Sequence, residues 1–117
     1  MLLPNSDRAV IDMRKLTDYV LNTEHDHDGH KAKLLAIALE ITSDQAVYLR
    51  DLLLYAVQAY EAQYHSEDQY DVRYRIDFPI ETSNGQEMLR SGWIIRPEED
   101  FPRLTTCFVL ERRKPNA

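Results

Sequence analysis

The amino-acid sequence predicts an α+β domain: three N-terminal helices packed on a C-terminal antiparallel β-meander of three to four strands. Two observations carry this expectation. Apolar residues recur at three-and-four spacing up to about Gln63 and alternate with polar residues from Tyr70 onward, so the chain passes once from helical to strand periodicity. An Asn84-Gly85 pair then falls between two alternating runs, where a hairpin turn calls for residues tolerant of positive φ. Helices followed by strands, rather than interleaved with them, give the segregated layout.

With 117 residues the chain makes a single domain, 1–117. Residues 1–8 contain Pro4 and Asn5, show little periodicity and read as an N-terminal arm. Ala9-Val10-Ile11-Asp12 reads as a short edge strand. Met13, Leu16, Tyr19 and Val20 keep helical spacing behind Asp12, a residue suited to capping, so the first helix runs from Met13 to Leu21 and ends at Asn22. A second helix begins near His30, its broad apolar face carried by Leu34, Leu35, Ile37, Leu39 and Ile41. Thr42 and Gln45 have capping-box spacing, and a third helix follows to about Gln63 on Val47, Leu49, Leu52, Leu53, Ala56, Val57 and Tyr60.

Tyr70 to Ile80 alternates as a half-buried strand, with Arg73 and Arg75 on its polar face and pairing interrupted at Pro79. Ser83-Asn84-Gly85-Gln86 supplies the turn and Met88 to Arg96 the return strand, in which Ser91-Gly92 suggests a bulge or a close approach near Arg90. A third strand runs from Arg103 to about Glu111, and 112–117 is a basic tail.

Hydrophobic content of 44% with 29% charge is globular composition, and no apolar run approaches a membrane span. Met1-Leu2-Leu3 lacks the basic and apolar parts of a leader, and Cys107 is the only cysteine, which excludes an internal disulfide and predicts a cytoplasmic protein. A net charge of −6 argues against capture of nucleic acid by overall field. Most arginines nevertheless fall between Arg73 and Arg113, so a local basic face is compatible with the acidic whole.

The densest chemistry lies in Asn22 to Lys31, which holds three of the four histidines, three carboxylates, Gly29 and Lys31. The second helix starts here, and its unpaired amides and positive dipole end favour an anion. A phosphate held there would meet His25, an imidazole able to move protons near neutral pH, and Lys31, able to stabilise developing charge, with His30 as a phosphate-binding side chain. That combination suits phosphodiester cleavage. Two other readings stand beside it: a solvated loop in which Asp26 and Asp28 cap the helix, and a metal site drawn from His25, His27 and His30. The metal reading lacks histidines at i and i+4, and no metal is assigned.

If the even positions of Tyr70–Ile80 face the helices, Arg73 and Arg75 lie on the open face, where guanidinium groups hold phosphate oxygens. Arg90, Arg103 and Thr105 share that face if the register allows; the alternative is ordinary cross-strand pairing with Asp71, Asp77 and Glu111. Trp93 reads as a packing aromatic and Cys107 as a buried, inert thiol. There is no glycine-rich phosphate loop, nucleophile elbow or dinucleotide fingerprint, so no cofactor is expected.

Several stretches together resemble a bacterial domain family of unknown function: Leu3-Pro4-Asn5, Lys15-Leu16, Tyr19 through Asn22, His25 with Gly29 and His30-Lys31-Ala32, Trp93-Ile94, and Pro102-Arg103-Leu104-Thr105-Thr106. The resemblance covers nearly the whole chain. Its members look like small stand-alone proteins or C-terminal modules of polymorphic toxins, which implies a nuclease-type toxin or a component of a toxin–antitoxin pair. Asp26 stands where the family commonly has proline, and His27-Asp28 adds charge before the glycine. His25 and Lys31 keep their relative spacing, and Arg103 and Thr105 are carried over after them.

The sequence therefore points to a toxin-like, metal-independent endoribonuclease. In it His25 exchanges protons, Lys31 with Arg90 or Arg103 stabilises the pentavalent phosphate, and Thr105 positions it. Its partners would be an RNA substrate and a cognate antitoxin or immunity protein. The rival is a non-enzymatic acidic interaction module, acting as antitoxin, immunity protein or adaptor.

Overall fold

The computed structural model describes residues 1–24, 29–82 and 85–110. Three helices precede a four-stranded antiparallel sheet whose spatial order, β1-β2-β3-β4, follows the chain. Helix α1 (Met13–Lys15) opens where Asp12 accepts a hydrogen bond from the Arg14 amide at 3.0 Å. The coil then widens into a π-helix over Leu16–Val20, closed by the Leu21 amide donating to the Leu16 carbonyl at 2.8 Å. The wider turn leaves Leu16, Val20 and Leu21 all buried.

Helix α2 (Gly29–Leu39) starts at a glycine for a packing reason. A Cβ on Gly29 would lie 2.5 Å from the Thr23 carbonyl oxygen, so the helix start presses on the backbone entering the loop. The Thr42–Gln45 capping box is formed on both sides, with the Thr42 amide donating to Gln45 Oε1 at 3.2 Å. A short 3₁₀ turn, Ser43–Gln45, leads into α3 (Ala46–Ala59), which buries Ala46, Leu49, Leu53, Ala56 and Val57.

The sheet consists of β1 (Gln63–Glu67), β2 (Val72–Thr82), β3 (Gly85–Ile95) and β4 (Arg103–Val109). Its inner face is made of three cross-strand rows: Tyr74–Trp93–Leu104, Ile76–Ser91–Cys107 and Phe78–Leu89–Val109. These residues pack with Leu16, Leu35, Leu49, Leu53 and Val57 of the helices in one core. Each large apolar side chain so buried contributes about 1.5–3 kcal/mol. Trp93, 1% exposed, donates from Nε1 to Ser91 Oγ at 2.9 Å, and that hydroxyl donates to the Ile76 carbonyl at 2.9 Å.

The structure corrects several expectations. The third helix stops at Ala59 rather than near Gln63, and Gln63–Glu67 is a strand. An edge strand exposing Gln63, Tyr64, His65 and Glu67 needs no apolar alternation, which is why the pattern passed over it. The next strand starts at Val72 instead of Tyr70 and ends at Thr82, its return strand spans Gly85–Ile95, and pairing runs unbroken through Pro79 opposite Met88. β1 reaches only as far as Arg75, so β2 is itself the sheet edge at Pro79, where a missing N–H is tolerated. Thr82 pairs with Gly85, whose φ is 120°; Ser83 and Asn84 of the expected turn lie outside the described residues.

The N-terminal arm is docked. Leu3 is buried, the Met1 carbonyl accepts from the Ala62 amide at 2.7 Å, and the Met1 amino group pairs with Glu61. The short strand expected over Ala9–Asp12 is a single parallel bridge from Val10 to Arg103, with the Val10 amide donating to Pro102 and the Leu104 amide to Val10. The basic tail, 112–117, lies outside the described residues.

Candidate functional site

Because β-strand side chains alternate, burial of the inner rows fixes what the other face carries. Its rows are Asp77–Arg90–Phe108, then Gln63–Arg75–Gly92–Thr106, then Arg73–Ile94–Arg103. Gly92 stands in the middle and contributes no side chain, so the surface sinks there into a groove of about 240 Å³. Arg73, Arg75 and Arg90 line it from β2 and β3, and Thr105, Thr106 and Phe108 from β4.

Two bulges complete the groove. The register slips between Tyr64 and Ser66 on β1 and between Leu104 and Thr106 on β4, leaving His65 and Thr105 as supernumerary residues. Both line the groove, one from each outer strand. Bulges re-aim side chains that regular alternation would send elsewhere. Four strands at about 4.8 Å spacing set these two backbones roughly 14 Å apart, so their side chains can flank a phosphate-sized group. Thr105 Oγ1 lies only 2.7 Å, and Thr106 Cγ2 3.0 Å, from where a Cβ on residue 92 would be, so the bulge and Gly92 depend on each other.

The cations differ in how far their charge is neutralised. Arg90 donates through Nε and Nη2 to both oxygens of Asp77, at 2.8 and 2.9 Å, and this pairing raises its pKa above the ordinary arginine value. Arg75 donates to Gln63 Oε1 at 3.2 Å, a neutral partner. Arg73 lies 3.9 Å from Asp71, beyond hydrogen-bond distance. Arg73 and Arg75 therefore keep more of their field for a ligand. His65 Nδ1 lies 3.0 Å from Ser66 Oγ, a contact that orients the imidazole.

Of the residues singled out in the sequence, Arg73, Arg75, Arg90 and Thr105 share this groove. Lys31, in the first turn of α2, reaches its rim: Nζ stands 4.4 Å from the centre of the Phe108 ring. Arg103 does not join them. It lies in an adjacent pocket, held by Glu99 through two 2.7 Å bonds that raise its own pKa and lower that of Glu99. His25 lies outside the described residues, as do His27 and the ring of His30, and with them the metal reading. Among the described residues no group of three His, Cys, Asp or Glu is placed to hold a metal.

His65 was not singled out. The signal was a histidine in a polar run just before the arginine-bearing strand, a run that lies past the expected helix end and lacks the apolar alternation of a strand. Trp93 and Cys107 lie on the inner face, and burial pushes the Cys107 thiol up to about 12, far from a reactive thiolate. None of the described helices is long and apolar enough to cross a membrane.

Fold and groove define a small α+β sheet protein with a basic, histidine-bearing open face on an acidic chain. Within that class, the model of the DUF6883 family, described as a domain of unknown function, matches residues 2–111, and the chain belongs to that family. Comparison with curated proteins and with solved structures returned no match.

Proposed function

We propose that the open face binds RNA and cleaves it without a metal, as a toxin-like endoribonuclease of a toxin–antitoxin or polymorphic-toxin system. One observation carries the reading: two bulges bring an imidazole, His65, and a hydroxyl, Thr105, to opposite sides of a groove lined by Arg73, Arg75 and Arg90. The ribose 2′-hydroxyl supplies a nucleophile within the substrate, so cleavage needs neither a metal-bound water nor a nucleophilic side chain, and DNA lacks that hydroxyl. His65 takes the 2′ proton as oxygen attacks phosphorus, and Arg75 and Arg73 hold the non-bridging oxygens as charge develops. Thr105 positions the phosphate by a hydrogen bond. Lys31 at the rim adds positive charge, and His25 is the candidate donor of the proton that leaves with the 5′-oxygen.

The test is incubation of purified protein with labelled RNA in chelator. The expected products carry 2′,3′-cyclic phosphate ends, a DNA of the same sequence stays intact, and His65→Ala lowers the rate by at least about 100-fold with unchanged circular dichroism. Absence of cleavage, or cleavage indifferent to both His65→Ala and Arg75→Ala, overturns the proposal.

A non-enzymatic interaction module is the second reading, favoured by the exposed Val47, Tyr48 and Tyr55 on α3. Expression in bacteria separates the two: growth arrest relieved by His65→Ala supports the nuclease, and unaffected growth supports the module.

A further inference from the structure

We infer that the groove is one part of a longer track, and that the ligand is a single-stranded polynucleotide lying along β3 from Arg90 to Arg96 rather than a mononucleotide. The inference rests on the RNA reading above and adds a second binding pocket to it. Past Thr105 the groove meets a pocket of about 210 Å³ on the same side of the sheet, lined by Lys15, Arg96, Arg103 and Asp12 together with Thr105 itself. Thr105 thus belongs to both cavities and joins them.

The register sets the direction of the track. Arg90, Gly92, Ile94 and Arg96 succeed one another on every second residue of β3 and its exit, at about 7 Å per step and roughly 20 Å in all. Arg75 and then Arg73 flank this line from β2, and Thr106 and then Arg103 from β4. A stacked strand advances about 3.4 Å per nucleotide, so the track accommodates about six.

The second pocket is weaker than the first. A carboxylate, Asp12, lines it beside its three cations, whereas none among the described residues lines the first, and Glu99 clamps Arg103 with two 2.7 Å bonds. Lys15 Nζ also stands over the Tyr19 ring at 5.2 Å. Such a pocket gives a modest gain for a second phosphate and no grip on an isolated one. The consequence is a preference for length.

Binding of fluorescein-labelled 2′-O-methyl oligouridylates of two, four, six and ten nucleotides, which cannot be cleaved, tests this directly. Affinity should rise about 10-fold or more from two to six nucleotides and level off beyond. Lys15→Gln with Arg96→Gln should reduce the six-to-two affinity ratio and lower the salt slope for the hexamer by about 1.4, two contacts at about 0.7 each. Equal affinity for dimer and hexamer, no binding of the hexamer, or a hexamer slope unmoved in the double variant overturns the track. Failure of the nuclease reading looks different: the hexamer binds with the expected length dependence, yet unmodified RNA survives.

Discussion

Arg90 and Asp77 face each other across β3 and β2 with both guanidinium donors on both carboxylate oxygens, at 2.8 and 2.9 Å. The pair is part-buried, with side-chain exposures of 28% and 19%, and sits at one end of the groove. It gives the sheet a rigid strut and withholds one cation from any ligand. A double-mutant cycle of Arg90→Ala and Asp77→Ala, read by urea denaturation, should show a coupling of about 1 kcal/mol. Asp77→Asn alone should lower stability while tightening binding of the uncleavable hexamer, because it frees a guanidinium; weaker binding would show that Asp77 instead presents Arg90 to the ligand.

Among the described residues Ser91 is the buried polar side chain of the inner face, and its hydroxyl links Trp93 Nε1 to the Ile76 carbonyl. Replacing it with alanine leaves an indole N–H without its acceptor in an apolar core. Ser91→Ala should destabilise the fold by about 1–3 kcal/mol. Trp93 is the only tryptophan, so its fluorescence reports both the local change and the shifted unfolding midpoint.

Gly92 is needed for space. Its φ is not in the left-handed region, yet a Cβ would meet Thr105 Oγ1 at 2.7 Å. Threonine is β-branched and has little freedom to turn aside. Gly92→Ala should therefore cost about 1–3 kcal/mol in thermal or chemical denaturation and weaken ligand binding by filling the groove floor. A variant with wild-type stability and affinity would mean that the β4 bulge yields easily.

Glu99 is held below its ordinary value of 4.5, chiefly by the hydrogen bonds from Arg103. A depressed folded-state carboxylate stabilises the fold above its unfolded value and loses that contribution as pH falls through the folded one. Stability of the wild type should drop on acidification below about pH 4.5, and Glu99→Gln should be less stable at pH 7 with a gap that narrows toward pH 3. Parallel pH profiles would show that the pair contributes nothing to folding.

The helical part was legible in the residues because its signals are local. Asp12 caps α1, Thr42 and Gln45 form the capping box, and the spacing from Leu49 to Val57 marks the buried stripe of α3. Alternation from Arg73 to Ile80 likewise gave the faces of β2, since period two needs only neighbours. The assignment of Arg73 and Arg75 to the open face follows from that alone.

What the residues could not give was anything set by pairing between strands. His65 and Thr105 reach the groove because each is the extra residue of a bulge, and a bulge exists only relative to a partner strand. Arg103 has the same residue type as Arg73 and the same row in the sheet, yet Glu99, four residues before it, diverts it to a neighbouring pocket. Periodicity determined on which side of β2 its side chains would lie, while Val47, at helical spacing with the buried stripe of α3, is exposed. Register, a collective property of four strands and the core beneath them, decided which of those side chains meet.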